Sequence, residues 1–155
     1  MGKILEFKVH HKPQAQPRPK ARRLPMGVQI YTPKSSRVES WKEAIRSSFY
    51  DTVGQNYKPV EGLVTLSVVF EIERPKHMCA TKFPDERLPH IVRPDIDNLL
   101  KGAMDALTDV AWIDDCQVWL SRCEKYYNTI TLGGSSGRKR LPSPSVVTIR
   151  MELHE

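Results

Sequence analysis

Leu5, Phe7 and Val9 alternate with Glu6, Lys8 and His10, a period of two that predicts an opening β-strand with one buried face. Val64, Leu66, Val68, Phe70 and Ile72 repeat the pattern over a longer stretch, which Arg74-Pro75 ends because proline gives a strand ladder no donor. Val147, Ile149, Met151 and Leu153 close the chain with a third alternation. Elsewhere the period becomes helical. Val38, Trp41, Ile45 and Phe49 predict a first helix, with Ser36 and Glu39 spaced as a capping box at its start. Ile96, Leu99, Leu100, Ala103, Met104 and Leu107 predict a second, with Pro94 at its start and Asp95 and Asp97 in the first turn, where the helix dipole favours acids. A turn is expected at 108–111 and a Val-, Trp- and Tyr-rich strand at 117–127. The resulting order, β-α-β-loop-α-β-β, lacks the regular alternation of a doubly wound fold. It predicts an α+β class with a mixed or antiparallel sheet and two main helices packed on it.

Three stretches break the periodicity. Residues 12–26 read KPQAQPRPKARRLPM, where the prolines deny donors to helix and sheet alike and Arg18, Lys20, Arg22 and Arg23 cluster. That composition predicts an exposed basic loop. Residues 75–93 have no clean period, and 128–144 contain the run GGSSGRKR; both are expected as flexible insertions, the latter with a basic hairpin tip at Arg138-Lys139-Arg140.

A chain of 155 residues with 39% hydrophobic content fits a single domain over 1–155. Its 27% charged residues leave no apolar run near the roughly 20 needed to span a bilayer. Neither a membrane span nor a secretory signal is expected, which points to a cytoplasmic protein. The three cysteines, Cys79, Cys116 and Cys123, have no C-x-x-C spacing and cannot all pair within one chain. Free thiols are expected, not a disulfide scaffold or zinc knuckle. Residues 1–50 carry 11 Lys and Arg against 3 Asp and Glu, net +8, within a total of +6. A polyanionic partner for the first third of the chain follows naturally.

Acids gather later, in RPDIDNLLK over 93–101, DAL over 105–107 and WIDDCQV over 112–118. If a short helix and turn brought Asp114 or Asp115 back beside Asp95 and Asp97, three carboxylates would converge. Their mutual repulsion is relieved by a hard divalent cation, and oxygen-only ligation favours Mg2+, with Mn2+ as a substitute. The ordinary alternative is a helix start rich in acids and a polar turn before a strand, and Lys101 between Asp97 and Asp105 reads equally as a surface ion-pair ladder. The five histidines, His10, His11, His77, His90 and His154, have no paired ligand spacing and read as surface or loop residues. Trp41 reads as core, and Tyr31, Trp119, Tyr126 and Tyr127 as sheet packing rather than base-stacking groups.

The succession D-x-D-N-L-x-K, D-A-L, W-x-D-D-x-Q-V from Asp95 to Val118 resembles the RusA-type Holliday junction resolvases. The resemblance implies that Asp95, Asp97 and Asp115 are metal-binding catalytic carboxylates and Lys101 the active-site lysine, with Asp114 and Asn98 as supporting candidates. It also implies that Arg18, Lys20, Arg22 and Arg23 bind DNA, and it places a basic residue at Lys125. The implied protein is a magnesium-dependent homodimer that nicks opposed strands of a four-way junction, in a bacterial or phage-infected cell and nucleoid-associated when DNA-bound. A non-catalytic junction-binding protein and a metal-dependent nuclease for flaps or forks stand as alternatives.

Overall fold

The computed structural model describes residues 2–137 and 139–154. Its centre is a five-stranded sheet ordered β1-β9-β4-β6-β5, built from β1 (Lys3–Val9), β4 (Val64–Ile72), β5 (Leu88–Pro89), β6 (Val118–Tyr127) and β9 (Val146–Leu153). β4 and β6 run parallel and the other pairs are antiparallel, so the sheet is mixed and the class is α+β. The three alternating stretches are the strands β1, β4 and β9. Their apolar residues line one face, and α1 (Ser36–Val53) and α2 (Ile96–Leu107) cover it. Trp41, Ile45 and Phe49 from α1 and Leu99, Ala103, Ala106 and Leu107 from α2 are fully buried there. Trp41 is core, as its helical spacing predicts. No helix among the described residues is long and apolar enough to cross a membrane.

Two hairpins stand outside this frame. Lys20–Leu24 (β2) pairs antiparallel with Gly27–Tyr31 (β3), so the basic segment expected as a loop over 12–26 is strand from residue 20 onward. Its prolines at 13, 17, 19 and 25 all lie outside the ladder, and Gly27 at the turn takes φ 140°, a value open to glycine. Every residue of both strands is exposed; with neither face buried, nothing selects for alternation, and only main-chain pairing marks the strand. The second hairpin joins β7 (Ile130–Gly133) to β8 (Lys139–Pro142).

The segments expected as flexible insertions are packed on one another. Arg74, 2% exposed, donates from Nε to the carbonyl of Asn128 (2.7 Å) and from Nη1 to that of Pro84 (2.8 Å), and its Nη2 donates to the carbonyl of Glu86. Arg140 donates to the carbonyls of Cys79 and Phe83, both at 2.9 Å, and pairs with Asp85 at 2.6 Å. Arg140 therefore commits its guanidinium to the 76–85 loop, not to a solvated tip; Arg138 lies outside the described residues. All three cysteines are free.

The start of α1 also differs from expectation. Ser35, not Ser36, is the N-cap, and no side chain caps it. The capping-box spacing is present in the sequence, but the chain enters the helix one residue earlier, which removes Ser36 from the position a cap requires.

Candidate active site

Pro94 follows a cis peptide bond and Asp95 is the extended N-cap of α2, which places Asp95 one residue before the helix and Asp97 in its first turn. Both carboxylates line an open cleft of about 790 Å3, walled by 89–93 on one side and by Cys123, Glu124, Lys125 and Tyr126 of β6 on the other. Lys125 fixes that wall: its ammonium donates to the carbonyls of Val92 (2.7 Å) and Pro94 (2.6 Å). The family resemblance puts a basic residue here, but nothing in the sequence marks it as a clamp on main chain, because its partners are carbonyls about thirty residues away.

The basic segment reaches the same place. The amide of Gln16 donates to the carbonyl of Asn98 (3.2 Å), and Gly102, whose Cβ would stand 3.2 Å from the carbonyl oxygen of Gln14, lets this segment lie against α2. Arg18 then comes within 3.2 Å of Asp95. An ion pair this exposed contributes at most about 1 kcal/mol, so either partner can exchange it for a phosphate or a cation at little cost. Asn98 lines the adjoining pocket with Arg18 and Asp95. Lys101, one turn after Asp97, pairs with Asp105 at 3.8 Å, as does Lys42 of α1.

Asp115 is elsewhere. Its Oδ1 accepts from the hydroxyl of Thr108 (2.6 Å) and the indole of Trp112 (3.0 Å), and Thr108 is the C-cap of α2. Asp95 caps the opposite end, so the length of the helix, roughly 18 Å at 1.5 Å per residue, separates Asp115 from the Asp95–Asp97 pair. The expected convergence of three carboxylates does not occur within one chain, and no three acidic, histidine or cysteine groups among the described residues gather at metal-holding spacing. The turn does pass back toward the helix, as expected, but it returns to the far end. Asp114 serves the turn itself, accepting from the Cys116 amide (2.8 Å). That bond lowers its pKa and makes it the N-cap of a 3-10 turn, reciprocated by Gln117.

The donor chemistry at the cleft fits a hard cation. Magnesium takes one or two carboxylates and fills its remaining positions with water and substrate phosphate, which two exposed aspartates in an open cleft can supply. Burial pushes the Cys123 thiol, in the wall of the cleft, up to about 11.

Other side chains depart from their sequence readings. His90 is buried at 7% exposure against Tyr127, with ring centroids 4.3 Å apart. Burial first, and Lys125 second, lower its pKa from 6.5. Tyr127 packs as expected and Tyr126 lies under the Arg87 guanidinium, 4.1 Å from ring centre to carbon. Trp119 and Tyr31, expected to pack, are 64% and 42% exposed. In β6 the register shifts against β4 at Val64/Thr65, between the partners Val118 and Leu120, so Trp119 is left over and turned out of the sheet.

An uncharacterized protein of Bacillus subtilis (strain 168), YqaN, is 27% identical over 132 residues, covering 80% of this chain and 88% of that protein. The family described as Endodeoxyribonuclease RusA matches residues 10–131, a span that runs from the basic segment through α2 and β6. The chain belongs to the RusA endodeoxyribonuclease family.

Proposed function

We propose that this protein is a magnesium-dependent endonuclease that resolves four-way DNA junctions by paired nicks, with Asp95, Asp97 and Asp115 as its metal-binding acids. The observation that carries the reading is the pair Asp95 and Asp97 in an open cleft beside Arg18, in a chain of a DNA endonuclease family. Asp95 and Asp97 would hold the cation, which supplies Lewis-acid polarisation of the scissile phosphate and a water of lowered pKa. Arg18 orients a phosphate by exchanging Asp95 for it. Lys101 counters the charge that develops on the phosphate. Arg22 and Arg23, with Lys20, hold the DNA arms through their phosphates; Arg22 is already held across the hairpin by its bond to Gln29 (2.9 Å).

Because Asp115 stands at the far end of α2, a complete three-acid site requires a second subunit whose Asp115 enters this cleft. A two-fold dimer would then hold two identical sites, matched to the two opposed strands of a junction. Thr108 and Trp112 hold Asp115 in one orientation for that delivery.

The test measures cleavage and binding on a panel of four-way junctions, flaps and forks with and without magnesium. Asp95→Asn, Asp97→Asn and Asp115→Asn should each lose cleavage while retaining junction binding, and Lys101→Ala should lose turnover more than affinity. Cutting of flaps with intact four-way junctions would replace the resolvase by a flap nuclease. Binding without cleavage by the wild-type protein in magnesium would leave a junction-binding protein.

A further inference from the structure

We infer that the tip of the β2–β3 hairpin, Leu24-Pro25-Met26, is an apolar wedge that enters the base stack at the branch of a DNA junction and selects branched DNA over continuous duplex. The inference rests on the junction reading above and deepens it by naming the group that recognises the branch. Only Pro25 and Met26 join β2 to β3, so the hairpin ends in a point two residues wide. Met26 is 99% exposed, with Leu24 at 40% beside it. Val28 and Ile30 extend the apolar strip down β3, at 66% and 73%. A contiguous apolar surface left to solvent in this way marks a contact with another molecule.

Charge says which molecule. No acidic residue occurs between Glu6 and Glu39, while Arg18, Lys20, Arg22 and Arg23 lead into the tip. The pairing register divides the ribbon: Arg22 and Gln29 face one way with Lys20 and Tyr31, and Arg23 faces the other with Val28 and Ile30. A second copy of the hairpin would bring like charges together. An apolar protein surface would bury Arg23 without a counter-charge, a cost that outweighs the apolar contact. DNA satisfies both kinds of group at once, because its phosphates flank its bases: arginines take the backbone and apolar side chains the stack. Leucine, methionine and proline are among the side chains that wedge base steps apart in DNA-bending proteins, and the unbranched thioether of methionine adapts to an irregular gap. Phosphate contacts alone would use none of Leu24, Met26, Val28 or Ile30.

The root of the hairpin ties the wedge to the cleft. Gln16 is bonded to Asn98 and Arg18 lies against Asp95. From Arg18 to Met26 the chain advances eight residues, so at about 3.3 Å each the tip stands no more than about 26 Å from Arg18, or about eight base-pair steps. A junction interrupts its own stacking where the arms exchange strands, so a wedge displaces fewer stacked bases there than inside a duplex. The unstacking cost is full on duplex and partial at a branch, and that difference makes the apolar tip selective.

The test places 2-aminopurine, a base whose fluorescence rises on unstacking, at the branch of a four-way junction, within one arm, and in a linear duplex. Each DNA is titrated with the full chain without magnesium, so that no strand is cut. The wild type should raise the signal at the branch and bind the junction more tightly than the duplex. Leu24→Ser with Met26→Ser should abolish the rise and cut that preference by about 10-fold or more, the scale of leaving a Leu or Met side chain in water instead of burying it. The log-log salt slope should stay at the wild-type value, because no charge is removed. Met26→Leu should keep both the rise and the preference. Both positions are exposed, so thermal melting should not change; if the double variant melts early, Met26→Ser alone decides. A variant that keeps the rise and the preference overturns the wedge and leaves the junction reading standing. A variant that alters sedimentation of the DNA-free protein assigns the tip to a protein contact and overturns the wedge too. Wild type that binds junction and duplex equally overturns branch selection and the junction reading together. A rise that the variant loses, in a protein that cuts no junction once magnesium is added, keeps the wedge and removes the resolvase.

Discussion

The two ends of α2 hold aspartates in opposite conditions. At the first end Asp95 and Asp97 face an open cleft, and the ion pair to Arg18 is exposed and exchangeable. At the last end Asp115 is half-buried and bonded through one oxygen to Thr108 and Trp112. The difference teaches how a short acidic motif can be divided: one end is open to ligand, the other is held in place by its own chain. Charge alone does not separate them, since all three are ordinary aspartates in the sequence. Their hydrogen-bond partners do.

The comparison breaks most sharply at the exposed end. Asp97→Asn should cut single-turnover junction cleavage by about 100-fold or more, the scale of losing a charge-stabilising group at a reacting phosphate, while band-shift affinity changes little. Near-normal cleavage would show that the open end is not where the reaction occurs. At the rigid end, Thr108→Val keeps volume and removes the hydroxyl that Asp115 accepts from. Supporting partners of metal ligands typically contribute about 10–100-fold, so activity should fall in that range with the fold intact by thermal melting. An unchanged rate would make the Thr108 bond purely structural.

Smaller effects sharpen the picture around the cleft. Replacing Arg18, Lys20, Arg22 and Arg23 by alanine should weaken binding and flatten its salt dependence, by about 0.9 in the log-log slope for each phosphate of duplex DNA that these side chains no longer neutralise. An unchanged slope in a salt titration would leave the β2–β3 hairpin as solvated charge. The smallest effect concerns His90. Its pKa is held below 6.5 in the folded protein, so the unfolded chain takes up the proton first. The stability that His90 contributes is therefore complete above pH 6.5 and is lost as pH falls through its folded value. Denaturant unfolding of the wild type and of His90→Phe from about pH 7.5 to 5 should show the steeper acid loss in the wild type; parallel curves would remove His90 as the cause.

Much of the frame was legible because burial leaves a period. Val64 to Ile72 alternate because one face of β4 packs under the helices, and Val38, Trp41, Ile45 and Phe49 recur because α1 shows the sheet one side. The β2–β3 hairpin left no such mark, since both its faces meet solvent. Arg74 and Arg140 were equally silent: each binds carbonyls, which every residue possesses, so no partner residue type betrays the contact. The site was legible in part. The acids of α2 appear where the pattern put them, at the start of the helix, and the turn that follows does bend back. Helix length, which is visible in the spacing of Ile96 to Leu107, is what carries Asp115 to the opposite end of α2 from Asp95 and Asp97.

Arg74 has a bearing on what DNA encounters. A guanidinium stays charged at any pH at which a protein remains folded, and this one ties the carbonyls of Pro84, Glu86 and Asn128 beneath the loop leading to the cleft. The route from β4 to residue 89 is thus set before any ligand arrives. Ordering a loop of this length on association would otherwise consume binding energy for each immobilised residue. With that entropy already surrendered during folding, contacts made at the wall of the cleft go into affinity.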